Sequence, residues 1–281
     1  MGKLKTEINE VAHIRGVMAC RLCKSLHLFF LIYCTGQMGS IIVELVNKKF
    51  LIRGKETGLK SFFNEYESHG EPDFYISVTE EDMRREEIAY SRKYRWKLPS
   101  IALVYFATQR QIVSCISGQG ALLFHGSAIC VNGRTYIFTA PSGTGKSTHS
   151  RLWREMLKDH DVVMVNDDKP FLKVEEGCVT AYGSPWRGKE ELGCNMSAPV
   201  EAICSISQGT KNFIREATPD EMFSFFYEQS FRPFDKEGTE NYLHTLDLLT
   251  RNVRLYKLEC DVSMEAARLS YETMAGKFSG E

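Results

Sequence analysis

Residues 135–148 read TYIFTAPSGTGKST, an apolar, β-branched and aromatic run that passes through a glycine-containing loop into a helical pattern. Leu152, Trp153, Met156 and Leu157 then recur near helical period on one face. This strand–loop–helix unit limits the fold more than any other part of the chain, because both flanking elements need apolar partners. Gly143 and Gly145 allow the backbone to curl, so that successive N–H groups converge on one point. The helix N-terminus adds unpaired N–H groups and a partial positive charge. The segment therefore predicts a phosphate-binding loop. Lys146 would bring a full charge to the β- and γ-phosphates, and Ser147 would offer its hydroxyl to Mg²⁺. Ser142, Gly143, Thr144, Gly145, Lys146, Ser147 and Thr148 are the candidate nucleotide-binding residues. The strict pattern has Gly where this chain has Ala140, at the start of the loop rather than around the phosphate.

Downstream, residues 162–168 read VVMVNDD, a buried-strand pattern ending in two carboxylates. Acids at this place suit the metal side of a phosphate loop. Two of them permit a division of labour between holding Mg²⁺ and accepting a proton from an attacking hydroxyl. Asp167 and Asp168, with Ser147, are the candidate metal residues. His125 follows the apolar run 121–124, a position where a histidine is more often structural. Residues 181–191, AYGSPWRGKEE, form a loop shaped by Gly183, Pro185 and Gly188 that offers Arg187 and Lys189. Such cations can stabilise charge on a transferring phosphoryl group, or stand as ordinary surface charges.

The 281 residues carry 35 Lys and Arg against 36 Asp and Glu, so a general nucleic-acid or membrane-surface binder is not expected. An apolar share of 43% excludes overall disorder. Nine scattered cysteines read as reduced thiols in a cytoplasmic protein, not as a disulfide framework. Cys20 and Cys23 form one CxxC with no second ligand pair at zinc spacing. The longest apolar run, LHLFFLIYC at 26–34, is too short for the roughly 20 residues of a membrane span. Arg15, Arg21 and Lys24 precede it as in a signal peptide, but no clean cleavage site follows. Residues 1–37 are read as an extension of unassigned character, with Met38 opening the patterned chain.

Residues 41–54 predict a hairpin turning around Asn47-Lys48-Lys49, and 74–78 a further strand. The charge-dense stretch 80–95 reads as a solvated helix or loop. Residues 100–117 read as a largely buried helix broken by Gly118-Gln119-Gly120. That break separates a small α+β region, 38–118, from a region, 119–281, in which strands and helices alternate. Hairpins are expected at Asn132-Gly133 and at Glu175-Glu176-Gly177, and a strand over 200–207. Helices are expected over 219–231, 237–252 and 263–274, with a strand over 253–258.

His125-Gly126, then SGTGKST, then VNDD, in this order and at these distances, resemble the catalytic domain of the HPr kinase/phosphorylases. They also resemble the wider P-loop fold group shared with ATP-dependent phosphoenolpyruvate carboxykinase. Residues 119–207 carry the likeness, and MVNDDKP with AYGSPW bring it nearest to HPr-kinase-like proteins. The resemblance implies an α/β catalytic domain that uses ATP and Mg²⁺ to phosphorylate a serine on a small protein or peptide, with a homo-oligomer possible. It implies that His125 is an active-site residue, that Lys146 and Ser147 contact nucleotide and Mg²⁺, and that Asp167 and Asp168 form the acid pair, with Asp168 as the base. The family's Glu-Ile-Arg-Gly segment has no counterpart at 180–183, which read TAYG. That leaves the metal to the acid pair, or to Glu190 or Glu191. A nucleotide-binding regulator with little catalysis is the alternative of a different class. A carboxykinase-like enzyme is a more distant one, since that family is much longer.

Overall fold

The computed structural model describes residues 38–55, 60, 62–93, 98 and 100–276. The expectations for residues 1–37, including the CxxC and the apolar run, lie outside the described residues. The chain divides into two compact units, one ending at Cys115 and one beginning at Ile116. No described helix is long and apolar enough to cross a membrane.

In the first unit, β1 (Met38–Leu45) and β2 (Lys48–Lys55) form an antiparallel hairpin. Its two-residue turn is Val46-Asn47, both at positive φ, one residue earlier than the lysines suggest. β3 (Phe74–Ile76) runs parallel to β2. α1 (Glu80–Lys93) takes up the charged stretch, and α2 (Ser100–Ser117) spans the expected apolar helix. α1 is not solvated throughout. Glu86 is buried, and Arg110 of α2 meets it with two parallel hydrogen bonds of 2.8 and 2.9 Å. A buried carboxylate is tolerated when such a fork satisfies both oxygens.

The second unit is a mixed α/β structure built on one large sheet. Its strands are β4 (Ala121–Phe124), β5 (Ser127–Val131), β6 (Arg134–Thr139), β7 (Val162–Asn166), β8 (Phe171–Glu175), β9 (Cys178–Tyr182), β10 (Ser197–Gln208), β11 (Phe213–Glu216), β12 (Ser230–Phe231) and β13 (Arg254–Cys260). The order is β12-β4-β8-β9-β10-β6-β5-β7, with β13 parallel to β10 and β11 antiparallel to β13. β10 runs parallel to β6 but antiparallel to β9, which joins the two halves of the sheet. The hairpins turn at Asn132-Gly133 and Glu176-Gly177, all four residues at positive φ.

Strand alternation sends neighbouring side chains to opposite faces. Ile129, Tyr136, Phe138, Cys204 and Tyr256 join one core cluster with Trp153 of α3 (Lys146–Met156) and Tyr271 of α6 (Met264–Ala275). Ala128, Cys130, Ile137, Ile203 and Leu255 join the other. There they meet Phe226 of α4 (Pro219–Glu228) and Leu246 of α5 (Lys236–Arg251). Helices thus cover both faces, as the apolar strands β5, β6 and β10 require. The helix expected over 219–231 stops at Glu228, and Ser230–Phe231 instead pair with β4.

Candidate functional site

Three segments far apart in sequence meet through strand register. β5 lies between β6 and β7 and is antiparallel to both, with Ser127 opposite Phe138 and Ala128 opposite both Ile137 and Asn166. The entry to β5, His125-Gly126, therefore stands beside the exits of β6 and β7. The β6 exit leads to the loop, and the β7 exit leads to Asp167 and Asp168. Thr139 Oγ1 donates to the His125 carbonyl at 2.9 Å, and Gly126 N–H donates to the Asp168 carbonyl at 3.0 Å. A Cβ at Gly126 would lie 2.8 Å from Ile137 Cγ2, so this close approach needs glycine.

The loop turns through Gly143 (φ 91°) and Gly145 (φ 124°), a backbone region that other residues rarely adopt. No atom lies within 4 Å of a Cβ built at either, so the space over the loop is open. Ser142 and Gly143 are exposed, while Thr144, Gly145, Ser147 and Thr148 are half-buried. Lys146 is buried, and its ammonium donates to the Ala140 carbonyl at 2.8 Å and reaches the Pro141 carbonyl at 3.5 Å. The lysine thus closes the loop onto its own entry. Ser150 Oγ lies 2.8 Å from Ser127 Oγ and 3.0 Å from the Lys146 carbonyl, which ties the start of α3 to β5.

The two acids occupy different environments. Asp167 is buried, and its Oδ1 accepts from Gly188 N–H at 2.6 Å. Burial pushes its carboxyl up, and the neighbouring Asp168 charge adds to this. It has no cationic side-chain partner among the described residues. Asp168 has two. Lys169 Nζ donates to Oδ2 at 2.9 Å, and His125 Nε2 stands 3.4 Å from Oδ1. Burial alone would raise the Asp168 carboxyl, but Lys169 and His125 together hold it well below the usual carboxylate range. His125 Nδ1 lies 2.9 Å from Gln229 Oε1, and His125 N–H donates to the Gln229 carbonyl at 2.7 Å. The imidazole is therefore fixed on both sides between an amide and a carboxylate.

Asn166, fully buried, shapes the acid turn. Its Oδ1 accepts from the N–H groups of Asp168 (2.8 Å) and Lys169 (2.6 Å), and its Nδ2 donates to the Ser184 carbonyl at 3.0 Å. Ser184 Oγ donates to the Lys169 carbonyl at 2.5 Å. The SPW segment thus braces the acid turn from the β9 side. Arg187 belongs to the same corner: a Cβ at Gly193 would sit 3.3 Å from both Arg187 Nε and Asn166 Cα. Lys189 is exposed, and Glu190 pairs with Arg154 of α3 at 3.3 Å.

The structure therefore brings His125, Asp167 and Asp168 together beside the loop and sets Arg187 at the same corner, near Asn166. It leaves Lys189 on the surface. Sequence reasoning missed Gln229, Lys169, Asn166 and Ser184. Lys169 stands next to the acids in MVNDDKP, but Gln229 carries no local signal. Among the described residues no three His, Cys, Asp or Glu side chains form a group that would hold a metal. Mg²⁺ needs fewer, because it commonly takes one or two carboxylates together with substrate phosphates. A buried carboxylate such as Asp167, hydrogen-bonded to Gly188 N–H but with no cationic side-chain partner among the described residues, fits that demand.

No family model matches the chain, and no curated protein matches it. Among solved structures, the HPr(Ser) kinase/phosphatase from Coxiella burnetii shows a weak, partial likeness. It covers 55% of this chain and 99% of that one, at 12% identity and a TM-score of 0.31.

Proposed function

We propose that residues 119–281 form a phosphotransferase that moves the γ-phosphate of ATP to a serine hydroxyl on a small protein or peptide, with Mg²⁺ as its metal. The observation that carries this reading is the contrast between two adjacent carboxylates at the mouth of a phosphate-loop fold. One is buried with no cationic side chain beside it among the described residues, and the other meets Lys169 Nζ at 2.9 Å and His125 Nε2 at 3.4 Å. Acid pairs whose environments push them apart take different roles.

In this reading the loop N–H groups bind the triphosphate, and Lys146 joins them by exchanging its Ala140 and Pro141 carbonyl contacts for phosphate oxygens. Asp167 and Ser147, with Asp168 nearby, would hold Mg²⁺, which when bound neutralises charge on the phosphates. Asp168 orients the serine hydroxyl and accepts its proton as the bond from the serine oxygen to the γ-phosphorus forms and the bond to the ADP oxygen breaks. A carboxylate held this low is a weak base. Phosphoryl transfer tolerates that, because its loose transition state asks more for alignment than for basicity. His125, anchored by Gln229, keeps Asp168 in place. Arg187, at the corner of the acid turn, would supply charge to the transferring group, and Lys189 would have to reach in from the surface.

The test is incubation with γ-labelled ATP, Mg²⁺ and a library of serine-containing peptides. The reading expects label on serine. Tight ATP binding with no transfer to any acceptor would favour a nucleotide-binding regulator instead.

A further inference from the structure

The sequence offers the site two lysines, Lys146 in the loop and Lys189 beyond SPW, and the structure sets a third against the acids. Lys169 Nζ donates to Asp168 Oδ2 at 2.9 Å, while Lys146 faces the Ala140 carbonyl and Lys189 is exposed. Successive side chains of a strand point to opposite faces, so a pair between residues 168 and 169 needs a bend. The chain bends at Asp167 and Asp168, directly after β7.

The backbone at Lys169 is held from both sides. Its N–H donates to Asn166 Oδ1 at 2.6 Å, and its carbonyl accepts from Ser184 Oγ at 2.5 Å. Pro170 disfavours helical backbone at the residue before it, and the Pro170 carbonyl accepts from Phe124 N–H at 3.0 Å. Exposed ion pairs gain little, because two long side chains must be immobilised in water. Here the two side chains are only 21% and 18% exposed, and the backbone beneath them is already fixed.

This pairing decides what Asp168 can accept. Its Oδ2 meets Lys169, and its Oδ1 faces His125 Nε2 at 3.4 Å. A carboxylate oxygen has two lone-pair directions, so a hydroxyl hydrogen still finds room on Oδ1. A divalent ion asks for more. Mg²⁺ takes its oxygens at about 2.0–2.1 Å in near-ideal octahedral order, and an ammonium on the same carboxylate repels it. Asp167 has the opposite surroundings. It is buried, with Gly188 N–H on Oδ1 and no cationic side-chain partner among the described residues. Two carboxylates and one ammonium leave a single negative charge, which suits one divalent ion shared with phosphate oxygens.

We propose that Lys169 is a positioning residue that reserves Asp168 for the acceptor hydroxyl. It occupies that carboxylate as a built-in cation, so the site takes one divalent ion with its nucleotide, on Asp167. The proposal rests on the phosphotransferase reading above. It gives the adjacent acids separate tasks through the residue that follows them, without needing distance between them.

Mn²⁺ binding tests this, read from the free-ion signal in electron paramagnetic resonance. The full chain is loaded with the non-hydrolysable β,γ-imido analogue of ATP. The wild type should take up one Mn²⁺ per bound nucleotide. Lys169→Met should take up a second, bound at least ~10-fold more tightly than any further ion in the wild type. Lys169→Gln keeps a donor toward Asp168 without the charge and should behave as Lys169→Met does, so it carries the comparison if Lys169→Met fails to fold. Lys169→Arg should return the count to one. Adding Asp168→Asn to Lys169→Met should remove the second ion. Two ions per nucleotide in the wild type would overturn the proposal and leave the phosphotransferase reading standing. So would a single ion in nucleotide-loaded Lys169→Met or Lys169→Gln. A wild type that binds neither the nucleotide analogue nor Mn²⁺ would overturn the phosphotransferase reading and the proposal with it.

Discussion

His149 makes stability depend on pH in a calculable way. It follows the loop on the first turns of α3 and is only 3% exposed. Its Nε2 lies 2.8 Å from Ser270 Oγ, and its ring meets Phe138 edge-on at 4.7 Å. Ser270 Oγ donates to the Ala267 carbonyl and accepts from Trp153 Nε1, so it serves His149 as a second acceptance, which a neutral imidazole with Nε2–H satisfies. Burial pushes the imidazole down to about 4, against 6.5 for the unperturbed group. Below pH 6.5 the unfolded chain takes up a proton that the folded chain refuses, so stability falls with pH until about pH 4 and then levels. The loss at this one residue is about 2 kcal/mol between pH 7 and pH 5, and about 3 kcal/mol once the fall is complete. His149→Gln keeps an N–H donor toward Ser270 and removes the titration. Urea unfolding of both proteins at pH 7 and pH 5 reads the difference of differences, in which other titrating groups cancel. The wild type should lose about 2 kcal/mol more than the variant. An identical pH dependence in the two proteins would refute the argument.

Three further outcomes follow from the site. Gly188→Ala would bring a Cβ to 2.9 Å from Asp167 Oδ2, and the carboxylate tip can swing away. Stability should therefore change by no more than ~1 kcal/mol, while Mg²⁺-dependent transfer falls by at least ~10-fold, as circular dichroism melts and initial rates would record. Asn166→Ala removes the acceptor for the Asp168 and Lys169 N–H groups and the donor to Ser184. Denaturant midpoints should register a loss on the order of 3 kcal/mol. Lys169→Met withdraws the main charge holding the Asp168 carboxyl down, so the acid limb of the pH–rate profile should move to higher pH. An unmoved limb would mean that Asp168 is not the group whose ionisation the profile reports.

What the sequence made legible is mostly local. The loop and the Asn132-Gly133 and Glu176-Gly177 hairpins need positive φ at fixed positions, and glycine and asparagine advertise it. The helix starts also carry local marks, such as the Thr218–Glu221 capping box and the Asp235 and Ser263 caps. The departures are tertiary. The aromatic run FSFFYEQSF sustains a helical pattern past Glu228, yet β4 recruits Ser230 and Phe231 into the sheet. That two-residue pairing has no period to detect, and it sets Gln229 against His125. Likewise Asn166 resembles any strand-ending asparagine until Ser184 arrives from 18 residues away. The buried Glu86 depends on Arg110 in another helix. β11 was missed because its residues FIRE show one half-buried side chain among exposed ones, while its pairing comes from β13.

The central claim is that Asp168 takes the serine proton while the loop binds the nucleotide independently of it. Serine phosphorylation and Mg–ATP affinity, measured side by side in the wild type and in Asp168→Asn, address it most directly. Transfer should fall by at least ~100-fold in the variant while ATP affinity stays within about 3-fold, because general-base assistance contributes roughly 10²–10⁴-fold. Undiminished transfer in Asp168→Asn would contradict the account.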